Sequence, residues 1–241
     1  MTVRPRRSVL YMPGSNARAL EKARSIAADA LILDLEDAVA PDAKELARRQ
    51  VADAVKAKGF GKREVVIRIN ALSTAWGVDD LKAAADAGPD AILVPKVSSA
   101  KDLDDVETLL GKAQIAVWAM VETPLAILNI AEIAGAGGRL ACFVMGTNDL
   151  IKEFRAVHTP DRLNLAAALV LSVAAARAHG LAVIDGVYND IHDSDGFYSM
   201  CRQGRAFGFD VSLALELVHS WTQTNPFVLP RFGESDVRDD P

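Results

Sequence analysis

Short apolar runs alternate with longer amphipathic ones from one end of the chain to the other. The apolar runs predict strands at Ser8–Met12, Ala30–Glu36, Glu64–Asn70, Ala91–Val97, Ala116–Thr123, Leu140–Gly146, Ala182–Tyr188 and Gly208–Leu213. Between them, helical spacing predicts helices at Ala17–Ala28, Pro41–Lys58, Val78–Ala87, Ala100–Gly111, Leu125–Ala134, Arg162–His179 and Gly196–Phe207. Pro41 is preset for a first helical turn, where its missing N–H is no loss. Gly59, Gly88, Gly111, Gly135 and Gly180 stand where helices should stop. Strand–helix alternation with no break in composition places the chain in the α/β class and predicts a parallel (β/α)8 TIM barrel. An open doubly wound sheet would usually bring a glycine-rich nucleotide loop, and the chain has neither GxGxxG nor a P-loop.

Within a strand, alternate residues face one side. On that count Ile32, Asp34 and Glu36 share a side, as do Val66, Arg68 and Asn70. So do Ile92, Val94 and Lys96, and Trp118, Met120 and Glu122; the sixth strand runs on to Asn148 and Asp149. Charge therefore collects at the carboxyl ends of successive strands, where barrel enzymes keep their active sites. Asp34 lies deepest and is expected to be structural. Glu122 and Asp149 are hard oxygen ligands that suit Mg²⁺, which commonly takes one or two carboxylates and leaves the rest to water and substrate. Arg68, with Asn70, suits a substrate carboxylate held in a bidentate fork. His158, His179, His192 and His219 are scattered without zinc spacing, and no GxSxG elbow supports a serine triad built on Ser8 or Ser99. "PGSN", Pro13–Asn16, opens the first helix; it could hold an anion on its N–H groups or be an ordinary cap by Ser15 or Asn16.

Composition narrows the class. The chain has 241 residues, half of them apolar, and a formal net charge of -5, which disfavours nucleic acid and membrane surfaces as partners. Its longest apolar run, "LNLAAALVLSVAAARA", falls short of the roughly 20 residues of a membrane span. The basic start "MTVRPRRSVLYMPGS" has too short an apolar run for a signal peptide. Cys142 and Cys201 are far apart, which fits a reduced, cytoplasmic location.

The segments "RSVLYMPGSNARALEKA", "ADALILDLEDAVAPDAKELAR", "RIN", "ILVPKV", "VETPLAILNIAEIA", "GTNDLIKE" and "DGVYNDIHDSDGF" resemble, in order, the citrate lyase β-subunit-like branch of the HpcH/HpaI aldolase superfamily. The resemblance implies a TIM barrel of the phosphoenolpyruvate/pyruvate-binding type and a Mg²⁺-dependent lyase. Such an enzyme would cleave or form a 3-hydroxyacyl-CoA, such as citryl-CoA or malyl-CoA, with an oxo-acid as the other partner. It implies Glu122 and Asp149 as metal ligands, Arg68 as the arginine holding the oxo-acid carboxylate, and Glu36 and Asp37 as the acidic pair beside the metal. Pro13, Gly14, Ser15 and Lys44 lie where the family binds the CoA portion, and Lys96 lies at the substrate end. A homo-oligomer, trimer or hexamer, is implied. Malyl-CoA thioesterases belong to the same branch; a Schiff-base aldolase using Lys96 and a CoA-ester-binding protein with impaired catalysis are the other readings. After "GFD" the family continues with Gly-Lys, then Ile-His-Pro and a lid, whereas here "VSLALELVHSWTQTNPFVLPRF" follows. Divergence and an altered reading frame would both give such an end. The expected organisation is a catalytic domain over 1–210 and a divergent segment over 211–241, with lyase activity weaker than is usual for the family.

Overall fold

The computed structural model describes residues 6, 8–190 and 192–215. The basic start over 1–5, His219 and the part of the divergent segment over 216–241 lie outside them. Eight strands are described: β1 Val9–Pro13, β2 Ala30–Asp34, β3 Glu64–Arg68, β4 Ala91–Val94, β5 Ala116–Val121, β6 Leu140–Met145, β7 Ala182–Tyr188 and β8 Val211–Leu215. The helices are α1 Ala17–Ala23, α2 Lys44–Lys56, α3 Gly77–Ala87, α4 Ala100–Leu110, α5 Pro124–Leu128, α6 Ile130–Ala134, α7 Thr147–Glu153, α8 Ala166–Ala178 and α9 Ser194–Phe207. Every strand pairs in parallel with the next, so the sheet is curled and follows chain order. β8 bonds to β7 on one side and to β1 on the other. The long connections between parallel strands put helices on the outer face, and that face is the larger apolar cluster, including Leu31, Leu33, Ile67, Ile92, Val94 and Phe143. The inner face is a separate cluster of strand residues, with Tyr11, Ile32, Val66, Leu93, Trp118 and Met120 at its centre.

The predicted elements are present; β2 to β6 end one to three residues earlier at the mouth than predicted, β7 ends as predicted, and β1 and β8 end one and two residues later. Two helices break. Asn129 interrupts the predicted Leu125–Ala134 helix, and a 3₁₀ turn over Leu163–Leu165 precedes α8. α7 was not anticipated, because "TNDLIKE" is only seven residues and lacks an extended apolar face. One alternation is corrected. In β4 it is Ala91 and Leu93 that face the inner cluster, while Ile92 and Val94 pack against the helices. Lys96 thus does not reach the mouth by strand parity. The strand ends at Val94, and Lys96 adopts a left-handed backbone, φ 55°, that turns it there. Among the described residues no helix is long and apolar enough to cross a membrane.

Candidate active site

Asp34 ends β2 fully buried and organises the mouth. Its two oxygens accept from the Glu36 and Ala38 N–H groups at 2.9 and 3.0 Å, so the carboxylate shapes the turn that follows its own strand. The same oxygens take the Arg68 fork from the neighbouring strand, Nε at 2.6 Å and Nη2 at 2.6 Å. β2 and β3 are in register with Asp34 opposite Arg68, so the pairing follows from the sheet. The guanidinium also lies over the Tyr11 ring, 4.9 Å from its centroid. The fork expected to be open for a substrate is therefore engaged within the protein. What Arg68 presents to the mouth is Nη1, 2.9 Å from Glu36 and 3.6 Å from Asp37.

Lys44 is a second correction. Expected to face CoA, it is buried, and its ammonium gives one bond each to Leu35 O at 2.8 Å, Glu36 O at 2.7 Å and Asn70 Oδ1 at 2.7 Å. An ammonium has three donors, so none is left for a phosphate. Asn70 is committed as well, donating to Leu35 O and to Asp80, which in turn receives Arg48 at 2.6 Å. Half-buried Arg48 and the buried Asp80, Asn70 and Lys44 thus form a chain that holds the backbone of Leu35 and Glu36. Asp80 and Arg48 carried no signal in the sequence, since each reads as a surface charge on an amphipathic helix. At the first loop, Asn16 caps α1 by accepting from the Arg18 and Ala19 N–H groups, both at 3.1 Å. Gly14 N–H donates to Asp34 O at 2.8 Å, and a side chain at Gly14 would run into that carbonyl. Pro13 and Ser15 remain partly exposed beside this turn.

Glu122 follows the end of β5 and is fully buried. One oxygen accepts the Lys96 N–H at 2.8 Å; the other has no hydrogen-bond partner. Gly146, at the end of β6, leaves the room, because a Cβ there would collide with the Glu122 side chain. Asp149 projects from the first turn of α7, and the Lys96 ammonium lies between the two acids, 2.9 Å from Asp149 and 3.5 Å from Glu122. Burial pushes the Glu122 carboxyl above its usual range, against the pull of Lys96. Burial also pushes Glu36 up, to about 8, opposed by Arg68, whose Nη1 lies 2.9 Å from Glu36 Oε2. For Asp149 the Lys96 bond outweighs burial, and its pKa is lowered.

These donors fit a small hard cation. Glu122 offers a buried, unpartnered carboxylate oxygen, and Asp149 shares one ammonium with it. Among the described residues no three of His, Cys, Asp and Glu converge on one ion, but Mg²⁺ needs only one or two carboxylates from the protein. The structure thus brings Glu36, Asp37, Arg68, Lys96, Glu122 and Asp149 together and leaves Lys44 out.

A curled parallel sheet with its charged residues gathered at the carboxyl ends is the layout of an α/β enzyme. The profile of the HpcH/HpaI aldolase/citrate lyase family matches residues 7–216, and the chain belongs to that family. It is 53% identical over 206 residues to a (3S)-malyl-CoA thioesterase of Cereibacter sphaeroides (strain KD131), covering 86% of this chain and 71% of that protein. It is 35% identical over 216 residues to the citrate lyase subunit beta of Escherichia coli (strain K12), covering 86% and 72%. Among solved structures, Mycobacterium tuberculosis CitE in complex with magnesium, acetoacetate and coenzyme A superposes with a TM-score of 0.76 at 30% identity, over 88% of this chain and 77% of that one. The citrate lyase beta subunit from the same organism, complexed with oxaloacetate and magnesium, gives 0.75 at 30%, over 88% and 92%.

Proposed function

We propose that the protein is a Mg²⁺-dependent hydrolase of malyl-CoA-type thioesters, built on a (β/α)8 barrel of the phosphoenolpyruvate/pyruvate-binding type. The observation that carries the reading is the buried Glu122 oxygen left without a partner beside Asp149. The 53% identity to malyl-CoA thioesterases supports thioester cleavage. Mg²⁺ on Glu122 and Asp149 would supply Lewis-acid polarisation of a substrate oxygen.

The chain's own residues do the rest. Asp34 holds the guanidinium so that only Nη1 faces the mouth, where it neutralises a substrate carboxylate through a single edge. Glu36, pushed to about 8 by burial, titrates where a general base is effective. As the carboxylate it takes a proton from water as the water oxygen bonds to the thioester carbon. When the carbon–sulfur bond breaks, the proton passes from Glu36 to the departing CoA thiolate. A free acid and CoA result.

A second reading, carbon–carbon cleavage of the same 3-hydroxyacyl-CoA, is supported by the likeness to citrate lyase β subunits. The Schiff-base reading is weaker, because two carboxylates keep the Lys96 amine as ammonium. The test is to incubate malyl-CoA with the protein, with Mg²⁺ and with EDTA, and to follow free thiol, malate and glyoxylate. Thiol and malate in equal amounts, abolished by EDTA, are expected. Glyoxylate in place of malate would favour the lyase, and turnover unchanged by EDTA would sink the metal-dependent reading.

A further inference from the structure

Lys96 addresses Glu122 twice. Its backbone N–H donates to Glu122 Oε1 at 2.8 Å, and its ammonium lies 3.5 Å from the same oxygen and 2.9 Å from Asp149 Oδ2. The two contacts differ in how firmly they are held. The backbone is in the left-handed region, φ 55°, a conformation costly for a residue with a Cβ and kept only where the surroundings enforce it. The side chain is 44% exposed, so its ammonium rides on an extended, flexible stem at the edge of the mouth.

We propose that Lys96 is a displaceable counter-cation. Its ammonium fills the seat between Glu122 and Asp149 in the metal-free protein, and Mg²⁺ enters by exchanging with it. This rests on the reading that Glu122 and Asp149 hold Mg²⁺. The two cations cannot share the seat: Mg²⁺ binds oxygen at about 2.0–2.1 Å, well inside the ammonium's hydrogen-bond distances, and like charges repel at that range. When the ammonium leaves, the N–H stays on Oε1, so Glu122 keeps its aim while its unpartnered Oε2 and Asp149 face the ion. The displaced ammonium then lies at the rim as a positive charge for the carboxylate of an incoming acyl substrate. Metal loading would thus empty the cation seat and prepare an anion contact in one movement.

The exchange is read by labelling. The metal-free protein and the protein in saturating Mg²⁺ are treated briefly with an amine-acetylating reagent, and the modified lysines are quantified by mass spectrometry. Lys101, solvent-exposed and paired with Asp105 on its own helix, is the internal standard. Lys96 acetylation should rise about tenfold with Mg²⁺, the factor that corresponds to roughly 1.4 kcal/mol, with Lys101 unchanged. In parallel, Lys96→Met should bind Mg²⁺ more tightly than the wild type by calorimetry and melt lower than the wild type in EDTA. If the wild type binds Mg²⁺ while Lys96 labelling does not change, or if Lys96→Met binds no more tightly, the exchange is overturned and the metal site stands. If neither protein binds Mg²⁺, the metal site itself is wrong and the exchange falls with it.

Discussion

Arg68→Met removes the guanidinium and leaves Asp34 charged in a site with no access to water. The native pair is bidentate, two contacts of 2.6 Å, with a third of 2.9 Å from Nη1 to Glu36. Removing one partner of a buried ion pair costs about 3–5 kcal/mol, because the other charge stays desolvated. Asp34 keeps the Glu36 and Ala38 N–H groups, which compensate it in part and set the expected loss at the lower end, about 3 kcal/mol. At roughly 2–4 °C per kcal/mol for a chain of this size, the melting temperature should fall by about 6–12 °C. The assay is urea unfolding followed by circular dichroism, with calorimetric melting, both in EDTA so that metal binding does not contribute. Adding Asp34→Asn should recover more than half of the loss, because it removes the orphaned charge and keeps an acceptor for the turn. Arg68→Lys keeps a charge but not the fork, and its activity should fall nearly as far as that of Arg68→Ala. An unchanged unfolding midpoint in Arg68→Met, or no recovery in the double variant, would refute the view that this pair organises the mouth.

Glu122→Gln and Asp149→Asn should each abolish Mg²⁺ binding by calorimetry while the far-ultraviolet dichroism stays native; retained affinity in either would show the ligands to be misassigned. The metal-free protein should melt higher at pH 5 than at pH 8, since Glu36 is raised from 4.5 to about 8 and Glu122 is also raised. Between those values the folded chain binds protons that the unfolded chain has lost, so stability falls with rising pH, by about 1.4 kcal/mol per pH unit per proton; Glu36→Gln should flatten the slope, and a stability that rises over that window would contradict the sign. Gly146→Ala drives a methyl into Glu122 and should cost about 1–3 kcal/mol by overpacking, together with most of the Mg²⁺ affinity, read by calorimetry and melting.

The sequence by itself determined the order and type of most elements, because hydrophobic period and glycine stops are local properties. It also brought Glu36, Arg68, Glu122 and Asp149 to one end of the sheet, since strand parity and strand ends are counted along the chain. It could not decide what those residues bond to. Asp34 meets Arg68 only because β2 and β3 lie in register across residues far apart in the chain. Lys44 looks like a free cation after a strand until Leu35 O, Glu36 O and Asn70 surround it. Lys96 arrives at the mouth against the parity of its strand, by a backbone turn that its Glu122 contact helps to hold. Hydrogen-bonding capacity and charge are written in each residue, but burial and partners arise from the packing of distant segments. The tertiary structure therefore decided which charges are spent inside the protein and which remain for a ligand.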